Sequence, residues 1–171
     1  MSWLEGILLG IVATAAFIDF RTRRIPNWLT LSAVLLGLVL QTVLHGVPGL
    51  KAGGLGLLVG AGLFFVPFAL GGMGPGDVKL MAAVGAFLGP LGALWAVLMT
   101  GVAGGVLALL WAALHGRLGR AFQRTGVLIG AAVDPRRRAA MPSLEKEPNW
   151  SIPYGVAIAF GVALALWWRS G

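Results

Sequence analysis

From Leu80 to Leu114 the chain carries no charged residue, and the stretches from Trp28 to Leu44 and from Ala52 to Gly76 are equally bare. An apolar run of about 20 residues is long enough to cross a hydrocarbon core of about 30 Å as a helix. Several such runs in one chain predict an all-α membrane protein, a polytopic bundle of about six transmembrane helices. The composition agrees: 58% of the residues are hydrophobic and 11% are charged, against about a quarter charged in an ordinary soluble domain.

The expected spans run from Trp3 to Ile18, Trp28 to Leu44, Leu50 to Leu70, Val78 to Leu88, Leu91 to Leu114 and Ile152 to Trp168. Asp19 and Phe20 can extend the first of these to the interface. The fourth is shorter than a crossing needs, so it either begins inside the glycine-rich hinge before it or does not span alone. Pro90 separates it from the fifth, because proline ends a helix. Pro26 and Asn27 read as the end of one helix and the cap of the next. The whole chain, 1–171, reads as a single integral-membrane domain with one long basic loop at about 115–150. The N-terminal run has no basic flank, so it is expected to stay as a helix and not to be cleaved as a signal peptide.

The net charge of +7 fits membrane topology better than nucleic acid. Arg21, Arg23 and Arg24 lie between the first two spans, Lys79 lies just past the next loop on that side, and the long loop holds most of the rest. Of the 13 basic residues, only Lys51 and Arg169 fall on the other side. The positive-inside rule then puts the basic loops in the cytoplasm and both termini outside. No cysteine is present, which excludes disulfides, thiolate metal sites and cysteine nucleophiles. His45 and His115 are too few and too distant to suggest a metal, and no cofactor or nucleic-acid partner is expected.

Glycines recur at G-x-x-x-G spacing: Gly56 with Gly60, Gly85 with Gly89, and Gly101 with Gly105. Such pairs let helix backbones approach closely in lipid. In "GGMGPGDVKLMAAVGAFLG", residues 71–89, Gly74 and Gly76 are expected to supply backbone angles closed to other residues. Pro75 between them keeps the helix from running back through the hinge.

Two carboxylates fall at the same predicted membrane face. Asp19 ends the first span and Asp77 opens the fourth. Ionisable groups at membrane depth are costly and are functional candidates. Each has a plain reading as well: Asp77 as an N-cap, and Asp19 as an i,i+4 partner of Arg23. As a pair they match what an aspartic protease needs, one carboxylate taking a proton from water while the other protonates the substrate. Intramembrane aspartates and broken helices also mark proton-coupled transporters, and a non-catalytic assembly protein is a third reading.

At these residues the chain resembles the prepilin peptidases, intramembrane aspartic proteases of the GxGD type. Three patches carry the resemblance: "IDFRTRRIPNWLT" at 18–30, "GMGPGDVKLMAAVGAFLG" at 72–89 and "IPYGVAIAFG" at 152–161. The resemblance implies that Asp19 and Asp77 are the catalytic pair. It also implies removal of a short basic leader from type IV prepilins or pseudopilins at the cytoplasmic face of a bacterial inner membrane. The early position of Asp19 and the lack of Cys-x-x-C motifs resemble the short, peptidase-only members that serve Flp or Tad-type pili, so N-methyltransferase activity is not expected. Gly74, Gly76, Lys79, Pro153, Tyr154 and Gly155 are the further substrate-binding or hinge candidates. Lys79 either stabilises charge near Asp77 or anchors its helix at the interface. Tyr154 either donates a hydrogen bond into the site or sits in an aromatic belt. Basic loops would not attract a basic leader, so docking of the pilin helix between spans is the expected basis of recognition.

Overall fold

A computed structural model describes residues 2–114 and 154–170. Among the described residues every regular element is helical: α1 Trp3–Thr22, α2 Asn27–Ala69, α3 Pro75–Leu114 and α4 Tyr154–Ser170. The first three are long and apolar enough to cross a membrane, and α4 is a shorter apolar helix. The chain divides into two compact units, Met1–Gly104 with Pro153–Gly171, and Gly105–Ile152. The described part of the second unit, residues 105–114, is helical; the long basic loop expected at about 115–150 lies outside the described residues.

A capping box starts α1. Ser2 N donates to Glu5 Oε2 at 2.8 Å, and Glu5 N donates to Ser2 Oγ at 3.4 Å, so two otherwise orphaned donors are satisfied reciprocally. The helix runs beyond Ile18 to Thr22 and stops where Arg23 turns left-handed at φ +53°. Arg23 N then donates to Asp19 O at 2.7 Å. Asp19 therefore lies inside the last turn of α1. Its link to Arg23 is main-chain to main-chain and not the side-chain pair that the i,i+4 spacing allowed.

Both long helices are broken internally. Gly46 (φ +64°) divides α2 and Gly89 (φ +72°) divides α3. Proline follows each break, Pro48 in one and Pro90 in the other, and a helix cannot run unbroken through a proline. Glycine supplies the positive φ that lets the chain change course there. The first break falls earlier than the expected start at Leu50, because Pro48 is accepted within the new helical segment.

The segment 47–69 lies backbone to backbone against the segment 75–88. A Cβ on Gly56 would overlap the Gly85 carbonyl, one on Gly85 would overlap Gly56, and one on Gly60 would overlap Met81. The order of these contacts shows that the segments run antiparallel. From the other side Gly37 admits the ring of Phe87, and Gln41 Nε2 donates to Phe87 O at 2.6 Å. The segment 75–88 is thus enclosed, with Leu80, Met81, Val84 and Phe87 all buried in the cluster that also holds Leu8 and Val12 of α1 and Ile158 and Val162 of α4. Its shortness is resolved by its start: the helix begins at Pro75, within the glycine-rich stretch. By contrast, Gly101 and Gly105 face open space, so that G-x-x-x-G pair packs against nothing described.

Substituting Gly85→Ala should destabilise the fold by about 2 kcal/mol, since backbone on both sides prevents relaxation. Gly62→Ala, where nothing lies within 4 Å, should leave stability unchanged or raise it. Unfolding midpoints in a graded denaturing-detergent titration would measure both.

Candidate active site

Asp19 and Asp77 are the only acidic residues buried among the described ones, each 7% exposed. Among the described residues a single main-chain amide holds each of them. Gly155 N, in the first turn of α4, donates to Asp19 Oδ2 at 2.9 Å, across 136 positions of sequence. Gly74 N donates to Asp77 Oδ2 at 3.0 Å, and Asp77 N returns a bond to Gly74 O at 3.2 Å. A carboxylate accepting from an amide at a helix start is a charge-assisted bond and gains from the aligned peptide dipoles.

These bonds correct the expected capping. Pro75 occupies the first position of α3, where its missing N–H costs nothing, so Asp77 is the third helical residue and reaches back to the turn instead of serving as the N-cap. The chain turn itself depends on Gly71, at φ +77°, whereas neither Gly74 nor Gly76 has a positive φ. Gly76 is small for another reason: a Cβ there would stand 3.0 Å from Ile25 Cβ. Likewise Pro26 is the N-cap of α2 without a side-chain cap bond, and Asn27 is the first helical residue.

Asp77 lies within the electrostatic field of Asp19, and Tyr154 lies within that of Asp77. The structure therefore brings Asp19, Asp77, Tyr154, Gly155 and Gly74 to one locality, built from the end of α1, the start of α3 and the start of α4. Gly155 is a close-approach glycine, since a Cβ would lie 2.9 Å from both Cβ and Oδ2 of Asp19. Tyr154 packs its ring edge over Gly104, 3.6 Å from where a Cβ would be. Lys79 points elsewhere: its Nζ donates to Asn27 Oδ1 at 2.8 Å, tying α3 to α2. Pro153 lies outside the described residues. Sequence reasoning missed Ile25 and Asn27 as parts of this framework. Their partners Gly76 and Lys79 lie far along the chain, and no local pattern announces such a contact.

Chemically, two carboxylates in one another's field, each bonded through one oxygen among the described residues, offer their second oxygens to water or substrate. Among the described residues no further hydrogen-bond donor reaches either group.

The sequence matches the model of the type IV leader peptidase family over residues 6–109, a stretch that contains both aspartates and ends before α4. Curated relatives include three proteins named prepilin leader peptidase/N-methyltransferase. The one from Neisseria gonorrhoeae is 32% identical over 91% of this chain and 56% of its own length. The one from Pectobacterium carotovorum is 33% identical over 66% of this chain and 45% of its own length. The one from Xanthomonas campestris is 35% identical over 58% of this chain and 37% of its own length. The chain thus spans about half the length of the curated relatives it matches. No solved structure matches it. With more than half of the chain, including both buried carboxylates, under the family model, this membrane protein belongs to the type IV leader peptidase family.

Proposed function

We propose that the chain is an intramembrane aspartic endopeptidase that removes the short basic leader from type IV prepilins or pseudopilins. Asp19 and Asp77 are its catalytic pair. The observation that carries this reading is the convergence of two buried carboxylates, one from the end of α1 and one from the start of α3, each accepting from one backbone amide among the described residues. In the reaction, one carboxylate takes a proton from water as that water attacks the scissile carbonyl carbon. The other gives its proton to the carbonyl oxygen. As the tetrahedral adduct collapses, the C–N bond breaks and the leaving nitrogen takes a proton from the pair. The proton inventory belongs to the pair and not to either residue.

The Gly46 and Gly89 breaks, with α1 and α4, favour a bundle of six crossings. The arginines after Asp19 favour a cytoplasmic site and termini on the far side of a bacterial inner membrane. Tyr154, beside Asp77, is suited to steady the substrate backbone. Gly74 and Gly155 supply the amides that hold the acids, and Gly76 leaves room for Ile25 beside them; Pro153 is a further candidate on the resemblance alone. The leader is basic and so are the neighbouring loops, so recognition rests on the apolar pilin helix docking between spans. An Flp or Tad-type pilin is the favoured substrate. The N-methyltransferase part of the relatives' names is said of those proteins; the acidic pair bears on hydrolysis alone.

Asp19→Asn and Asp77→Asn, assayed with a purified prepilin, should each lower kcat/KM by about 1,000-fold or more while leaving the unfolding midpoint close to that of the parent. Asparagine can still accept the amide bond but cannot do acid–base work, so retained cleavage by either variant would sink the proposal. Gly155→Ala should push Asp19 away from its place and cost about 100-fold in kcat, with a smaller effect on KM; the same assay checks it.

A further inference from the structure

A cavity lies at the end of the core remote from the acidic pair. It has a volume of about 450 Å³ and is lined by the Gly89 break, the first residues after it, and the last turns of α4. Arg169, which lines it, is 14 residues beyond Gly155 on an unbroken helix, so the cavity is roughly 20 Å from Asp19 at the α-helical rise. None of the residues argued for proteolysis touches it.

Its walls combine apolar surface with a few polar groups. Leu88, Leu166 and neighbouring alanines supply the former; Gln41, Trp95, Trp168 and Arg169 supply the latter. The guanidinium of Arg169 stands close to the start of the second segment of α3, with Nη1 3.6 Å from where a Cβ on Gly92 would be. No described carboxylate pairs with it: Asp19 and Asp77 are at the other end, and Glu5 is engaged with Ser2. Gln41 spends its Nε2–H on Phe87 O, which leaves its carbonyl oxygen as an acceptor for a hydroxyl. The two tryptophans are 46% and 65% exposed, as rings at a membrane–water boundary are. Lys51, the other basic residue that the topology puts on this side, neighbours Ala52 in the cavity wall.

An arginine with no carboxylate partner among the described residues, an acceptor for a hydroxyl, apolar walls and flanking indoles together describe one ligand chemistry. We propose that this cavity binds an anionic phospholipid with a hydroxyl-bearing headgroup, its phosphate on Arg169, its headgroup hydroxyl on Gln41 and an acyl chain along Leu88 and Leu166. The lipid bridges the Gly89 break and the end of α4, and so braces the side of the bundle opposite the acids.

The test uses the full chain in detergent with added lipid, and counts bound lipid by native mass spectrometry. Phosphatidylglycerol should be retained at least tenfold better than phosphatidylcholine. Arg169→Gln should abolish that preference and Arg169→Lys should restore part of it. Leu91→Glu, at a wall residue 74% exposed, should also weaken phosphatidylglycerol about tenfold by putting a negative charge at the mouth. Inorganic phosphate at tens of millimolar should not displace the lipid. Equal retention of the two lipids, or unchanged binding by both Arg169→Gln and Leu91→Glu, would overturn the assignment. Displacement by phosphate would overturn the lipid as the source. Cleavage of prepilin by Arg169→Gln is expected at the parent rate, so the outcome is read independently of the protease reaction.

Discussion

The contact between Gly56 and Gly85 sets the position of everything that matters in this chain. In lipid, apolar side chains gain nothing by leaving one apolar surroundings for another, so helices associate through close packing and through polar links. Removing side chains from both faces of one crossing lets the two backbones touch. The segment 75–88 is thereby pressed against 47–69, and Gln41 holds it from the other side through the Phe87 carbonyl. Backbone carbonyls beside a helix break need partners from elsewhere in the protein when lipid surrounds the bundle. Gln41 makes the break at Gly89 tolerable while fixing which way the segment faces.

Because that segment begins at Pro75, fixing it also fixes Asp77. The other aspartate is placed by α1 and α4, whose Leu8, Val12, Ile158 and Val162 pack into the same core as Leu80, Met81, Val84 and Phe87 of that segment. One shared core thus delivers two carboxylates from different helices to one place. Among the described residues neither acid has a side-chain hydrogen-bond partner; each is bonded to a backbone amide at or beside a helix start. That is a stiff way to hold a pair of groups whose separation decides what they can do.

Much of this was legible because the signals are local. Runs without charge mark the helices, and Pro90 marks the break in α3, whereas the break at Gly46 falls earlier than the expected start at Leu50. The errors arise where one local pattern permits two placements. Proline is accepted in the first turn of a helix, so Gly-Pro-Gly-Asp reads equally well with Asp77 as cap or as third residue, and the structure takes the second. G-x-x-x-G spacing says that one face is small and not that anything meets it. Gly56 and Gly85 have partners, whereas Gly101 and Gly105 have none described. The bond from Gly155 to Asp19 spans 136 positions. The sequence resemblance brought both residues into consideration, but the bond between them is a property of the fold.

The connection between α1 and α2 has a part that its arginines conceal. It leaves Asp19, passes Ile25 against Gly76, and ends at Asn27, which accepts from Lys79 two residues beyond Asp77. This short stretch of chain therefore fastens the end of one acid's helix to the start of the other's by one apolar contact and one hydrogen bond. The lysine is spent on a neutral amide in that strap, so it is not free to sit on Asp77 as a counter-ion. A cation there would hold Asp77 ionised and unavailable as an acid. In the proposed reaction, directing the ammonium to Asn27 would leave the two carboxylates to exchange a proton with water and substrate, while the arginines of this stretch stay exposed.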